Sequence, residues 1–88
     1  MYSDSYSEEI TKKLAKLRKK DPAQYTQVRK KMNSILKNPC HSYKTLGFDM
    51  KGISRVHIGH FVLVFIINHR NKSVSFEDYE HHDNIYFK

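Results

Sequence analysis

Residues Phe61 to Ile67 form an unbroken apolar run, built from β-branched, aromatic and leucine side chains. A run this short is far below the roughly 20 residues that span a bilayer. It reads instead as a strand buried on both faces, and such a strand must lie in the middle of a sheet. The flanking residues supply its neighbours. Ser54, Val56, Phe61, Leu63 and Phe65 can share one face of a hairpin. Arg55, His57, His60, Val62 and Val64 then occupy the other. This assignment takes Ile58-Gly59 as a two-residue turn, pairing His57 with His60 and Arg55 with Val62. Isoleucine is awkward where φ must be positive, which leaves a type II turn or a longer loop open. After the polar turn Asn68 to Lys72, Val74, Phe76 and Asp78 alternate with Ser75, Glu77 and Tyr79, giving a third strand. Tyr2 and Tyr6 recommend the first residues as an edge strand.

Two helices precede these strands. Ile10, Leu14 and Leu17 recur at helical spacing, with Lys12, Lys13, Lys16 and Lys19 mostly off that stripe. Ser7 fits an N-cap, with Glu8 and Glu9 in the first turn. Asp21 restarts the chain as a second cap, Pro22 suits the first helical position, and Gln24 completes a capping box. Tyr25, Val28, Met32, Ile35 and Leu36 mark one face of the second helix, which should end near Asn38-Pro39. Helices joined this tightly lie antiparallel. Pro39 to Gly52 shows no period and reads as a loop. Helices followed by strands indicate an α+β domain over residues 1–88, with the hairpin on one face of a three- to four-stranded antiparallel sheet.

Charge bears on the partner. The net charge is +7, and residues 1–38 hold ten Lys or Arg against four acids. Such a field attracts polyanions, although a lysine-rich solvated surface would look the same. Lys12, Lys13, Lys16, Lys19, Lys30, Lys44 and Lys51 are the candidate contacts to RNA phosphates. Cys40 is the only cysteine, so no internal disulfide forms, which fits a reducing cytoplasm. No basic-then-apolar leader follows Met1, and no membrane partner is expected.

Residues 39–88 carry all six histidines. His57 and His60 flank the first strand turn, and His81 and His82 follow the last strand. Arg55 shares a face with His57, and Tyr86 lies five positions beyond His81. Cleaving a phosphodiester needs a base, an acid and cations facing the phosphate. Arginine, histidine and tyrosine can supply all three without a metal. Spacing alone leaves open whether they do so or simply decorate a polar face. His57, His60, His81, His82 and Asp83 could also be read as nitrogen and oxygen ligands, but no short ligand signature is present. No metal or cofactor is therefore expected. Cys40-His41 resembles a thiol–imidazole pair without a third group, and reads as loop.

Three stretches carry a resemblance. They are Tyr43 to Leu46, then Lys51 to Phe65 with its Gly59-His60-Phe61-Val62-Leu63 centre, and His81-His-Asp-Asn-Ile-Tyr86 at the end. Together they resemble the RelE/ParE toxin superfamily, most closely a prokaryotic, often archaeal, branch. The resemblance spans nearly the whole chain, because that family opens with the same lysine-rich hairpin. It implies a four-stranded antiparallel sheet and an acidic, RelB-like antitoxin that covers the open face, in a heterotetramer.

For RelE-type members the resemblance further implies a metal-independent endoribonuclease that enters the ribosomal A site and cuts the messenger by 2′-hydroxyl attack. By position, Arg55 and His57 match the basic pair before the turn, and His82 and Tyr86 match the basic residue and tyrosine of the tail. His81, beside His82, could exchange roles with it. One departure stands out: a common Tyr-Arg pair is replaced by Phe61-Val62, and His60 is the candidate to compensate for the lost cation. ParE-type members poison DNA gyrase instead. A non-catalytic module of this kind, or a degenerate toxin that only binds antitoxin, is the alternative.

Overall fold

The computed structural model describes residues 1–45 and 52–85. The elements run β1 (Ser3–Tyr6), α1 (Glu8–Lys20), α2 (Pro22–Lys37), β2 (Lys44–Thr45), β3 (Ile53–Ile58), β4 (Phe61–Asn68), β5 (Ser73–His81) and α3 (His82–Ile85). The strands make one sheet in the order β1-β5-β4-β3-β2. The apolar run is thus the central strand, as its composition requires.

The helical hairpin forms where its signals place it. Ser7 Oγ accepts from the Ile10 amide at 3.1 Å, and Asp21 Oδ1 accepts from the Gln24 amide at 3.1 Å. These bonds satisfy amides that a helix start leaves unpaired. The capping box at Asp21 is left half made, because the Asp21 amide donates to the Leu17 carbonyl at 2.7 Å, while Gln24 Nε2 donates to the Tyr79 hydroxyl at 2.8 Å. Ile10, Leu14, Val28, Met32, Ile35 and Leu36 are the buried helix residues. They meet Ile58, Leu63, Phe65, Val74, Phe76 and Tyr79 from the sheet in one core. Complete burial of an aliphatic or phenyl side chain contributes about 1.5–3 kcal/mol, so this layer carries most of the fold's stability.

The sheet differs from expectation in four ways. It has five strands among the described residues rather than three or four, and β1 pairs with β5 in parallel. The Tyr2 amide donates to the Leu36 carbonyl at 3.1 Å, and the Ser7 amide to the Phe76 carbonyl at 3.0 Å, fixing β1 at both ends. Lys44 and Thr45, within a stretch that reads as loop, pair with Arg55 and Ser54 as β2.

The β3–β4 turn falls at Gly59-His60, one residue later than expected, so that Ile58 pairs with Phe61 and His57 with Val62. Gly59 has φ +62°, which suits glycine at the first central position far better than isoleucine. Finally, β5 carries a bulge. Val64 pairs with Asp78 while Phe65 pairs with Phe76, so Glu77 is the extra residue. Past it the alternation inverts, and Tyr79 rather than Asp78 faces the helices.

Candidate functional site

The helices cover one face of the sheet, and β3, β4 and β5 present the other. Val62, Val64 and Ile53 form a small apolar cluster there, separate from the main core. Val62 is fully buried, a closed apolar centre on this face. Around it stand polar groups that the sheet register positions. Arg55 and His57 alternate onto this face from β3, and Lys44 pairs with Arg55 across β2–β3. Arg55 Nε donates to the Thr45 carbonyl at 3.1 Å, which holds the guanidinium along the sheet edge.

The C-terminal histidines part company. His82 opens α3, and its ring lies 5.6 Å from that of His57, with the planes 33° apart. Its backbone amide donates to the His60 carbonyl at 2.9 Å, tying the start of α3 to the β3–β4 turn. His81, the last residue of β5, pairs with Phe61 and packs edge-on against that ring at 5.5 Å. Its imidazole also stacks with His60 at 6.3 Å and 19°. His60 therefore sits in the turn, stacked on His81. Lys44 is the cation that the fold places near His57. Tyr86 and Lys51 lie outside the described residues.

Glu80 secures the approach to this site. Its carboxylate accepts from the His81 amide at 3.0 Å, Asn84 Nδ2 at 3.2 Å and Lys13 Nζ at 2.9 Å. Lys13 also donates to Asp78 Oδ1 at 2.6 Å. β1 ends opposite Phe76, so this part of β5 is a sheet edge, and Lys13 reaches it from α1. The lysine is a structural clamp rather than a free contact for RNA. Lys12, Lys16, Lys19 and Lys30 are exposed on the helix layer, away from the histidines.

Electrostatics distinguish these groups. Partial desolvation lowers the His57 pKa below 6.5, and the charges of Arg55, His82 and Lys44 push it the same way. Its imidazole is thus biased toward the neutral form that accepts a proton. Hydrogen bonds from Lys13 and then Asn84 outweigh desolvation at Glu80 and pull its carboxyl down to about 2. Desolvation works against the Lys13 charge, but the bonds to Asp78 and Glu80 win and raise its pKa. Among the described residues no group of three His, Cys, Asp or Glu could hold a metal ion. No helix among them is long and apolar enough to cross a membrane.

The arrangement can therefore take up a proton at one imidazole, face a second imidazole across a short gap, and meet an anion with Arg55 and Lys44. Sequence reasoning missed the Lys13–Glu80 clamp and the place of Lys44. The clamp joins residues 67 positions apart, and β2 is too short to show a period.

No protein-family model matches the chain. A protein of Methanocaldococcus jannaschii named "Putative toxin RelE4" is 44% identical over 89 residues, covering 100% of this chain and 94% of the relative. An uncharacterized protein of Methanosarcina mazei is 46% identical over 87 residues, covering 98% and 100%. Among solved structures, the toxin–antitoxin complex RelBE2 of Mycobacterium tuberculosis matches with TM-score 0.75 at 18% identity, covering 91% of this chain and 96% of that one. The intact E. coli RelBE complex matches with TM-score 0.75 at 19% identity, covering 92% and 96%. The fold is shared throughout.

Proposed function

The chain belongs to the RelE family of toxins, found in RelBE-type toxin–antitoxin systems, and we propose that it is a cytoplasmic, ribosome-dependent endoribonuclease neutralised by an acidic antitoxin. The observation that carries the catalytic part is the His57–His82 pair, set 5.6 Å apart beside Arg55 and Lys44. A scissile phosphate bound against the edges of the two rings meets a base in one and an acid in the other. His57 takes the proton of the ribose 2′-hydroxyl, whose oxygen bonds to the adjacent phosphorus. His82 gives a proton to the departing 5′-oxygen as the P–O5′ bond breaks. The products are a 2′,3′-cyclic phosphate and a free 5′-hydroxyl, with no net uptake of protons. Arg55 and Lys44 stabilise the charge that builds on the phosphoryl oxygens. Tyr86, matched by resemblance, stacks on the nucleotide.

Two features support an antitoxin partner. The open face carries Lys44, Arg55 and His57, a basic surface that suits an acidic segment. The complexes with the same fold are toxin–antitoxin assemblies. A heterotetramer remains part of the proposal.

The test is primer extension on a translated message, with the chain induced and compared with His82→Ala, His57→Ala and Arg55→Ala. Cuts within codons that vanish when translation is blocked, and in the variants, support the reading. Growth arrest with intact messages would move the target to gyrase or another protein. No arrest would leave a module that only binds antitoxin.

A further inference from the structure

Beside His57, at the rim of the sheet, the last turns of α2 and residues 38–43 enclose a recess of about 370 Å³. That is within the range of small-ligand clefts, roughly 300–1,000 Å³. Its polar walls are Lys31, Ser34, Asn38, His41, Tyr43 and His57. Tyr43 is fixed, since its hydroxyl donates to the Asn38 carbonyl at 2.9 Å and its ring meets Phe65 edge-on at 5.2 Å. His41 packs against Tyr43 at 4.8 Å and is otherwise exposed. The recess thus has a preset aromatic wall. The Lys31 ammonium, the Ser34 hydroxyl and the Asn38 side-chain amide make no hydrogen bond to another described residue.

This set of groups has a chemical match. An unstacked ribonucleotide offers a π-face to an aromatic ring, donors and acceptors on its base edge, and an anionic phosphate. We propose that the recess is a subsite for one nucleotide of single-stranded RNA, next to the phosphate held at His57; the inference rests on the RNA-cleavage reading above. His41 stacks on the base, Asn38 and Ser34 bond its edge, and Lys31 pairs with a phosphate. The Asn38 amide, which both donates and accepts, gives the subsite a preference among bases. Message and ribosomal RNA both supply such a nucleotide.

The experiment is a titration of the isotope-labelled full chain with the four ribonucleoside monophosphates and with a 2′-O-methyl oligonucleotide, which cannot be cut by 2′-hydroxyl attack. Expected are shifts of the Asn38 side-chain amide and the His41 ring, stronger for one base. His41→Ala should weaken oligonucleotide binding roughly tenfold, the order of one lost stack. Ser34→Ala serves as a second edge variant should Asn38→Ala fray the end of α2. Shifts confined to Arg55, His57 and His82 would overturn the subsite while leaving the cleavage reading intact. Shifts at Asn38 and His41 in a protein that cuts no message would keep the subsite and sink the cleavage reading instead. In a translating extract, Asn38→Ala changing the base preference of the cuts identifies the message as the source. A uniform loss of ribosome affinity with the same preference identifies ribosomal RNA.

Discussion

The imidazole of His57 faces that of His82 at 5.6 Å between ring centroids, although one lies near the end of β3 and the other opens the terminal helix. The adjacent His81 faces away, toward Phe61 and His60. The two histidines of the tail therefore have separable roles. Removing a general acid or base typically costs about 10²–10⁴-fold in rate. His82→Ala and His57→Ala should each lose cleavage on that scale, whereas His81→Ala should stay within about tenfold of the parent. Single-turnover cleavage of a ribosome-bound message measures this, and equal losses at His81 and His82 would refute the assignment.

Proton uptake at His57 should occur below pH 6.5, because desolvation and then Arg55, His82 and Lys44 disfavour its charged form. Nitrogen-detected NMR titration of the imidazole reads the value directly, and Arg55→Ala should move it upward. The sign for stability follows from proton binding. Below 6.5 the unfolded chain holds a proton on this histidine more readily than the folded one, so acidification through that window destabilises the fold. Denaturant midpoints at pH 7.5 and 5.5 should differ less in His57→Gln than in the parent.

Lys13→Met removes the cation between Asp78 and Glu80, leaving two like charges on one strand. The pairs are partly exposed, with Lys13 and Glu80 side chains 26% and 24% accessible. A loss of about 1–2 kcal/mol is expected, between exposed and buried ion pairs. Glu80 has a depressed pKa of about 2, so its contribution is present above pH 4.5 and lost as pH falls toward 2. In urea melts the variant should show a shallower acid dependence over that window than the parent.

Gly59→Ala tests the turn. A Cβ at this position meets nothing within 4 Å, so the cost comes from the backbone at φ +62°. Left-handed geometry costs an L-residue roughly 1–2 kcal/mol. Urea denaturation should show that loss. Cleavage should fall as well, since the His60 carbonyl that anchors His82 follows this residue directly.

Much of this architecture was legible because it rests on local rules. Ser7 and Asp21 cap where short polar residues precede apolar periodicity, and Phe61 to Ile67 could only be a central strand. Other features depend on partners distant in the chain. Lys13 looks like any solvated lysine until Asp78 and Glu80 are brought beside it. Gln24 satisfies a capping rule on paper, yet the Asp21 amide it would accept from donates to the Leu17 carbonyl of the preceding helix. Isoleucine at 58 concealed the turn, because the positive φ belongs to Gly59 alone and sits at the first central position. Within the site, strand alternation placed Arg55 and His57, while resemblance singled out His82. Lys44 was expected as an RNA contact, but its place beside Arg55 came only with β2.

The bulge at Glu77 has a consequence for how the last strand can change in length. Because faces alternate along a strand, parity decides which histidine enters the site. With one residue looped out, Asp78, Glu80 and His82 share the open side; in a regular ladder continued from Phe76, Tyr79 and His81 would take it. A single residue gained or lost between Phe76 and His82, without a compensating change in the bulge, would exchange the two histidines. It would also turn the Tyr79 ring away from the core. Length variation in this segment should therefore be tolerated in steps of two, or as one residue together with loss of the bulge.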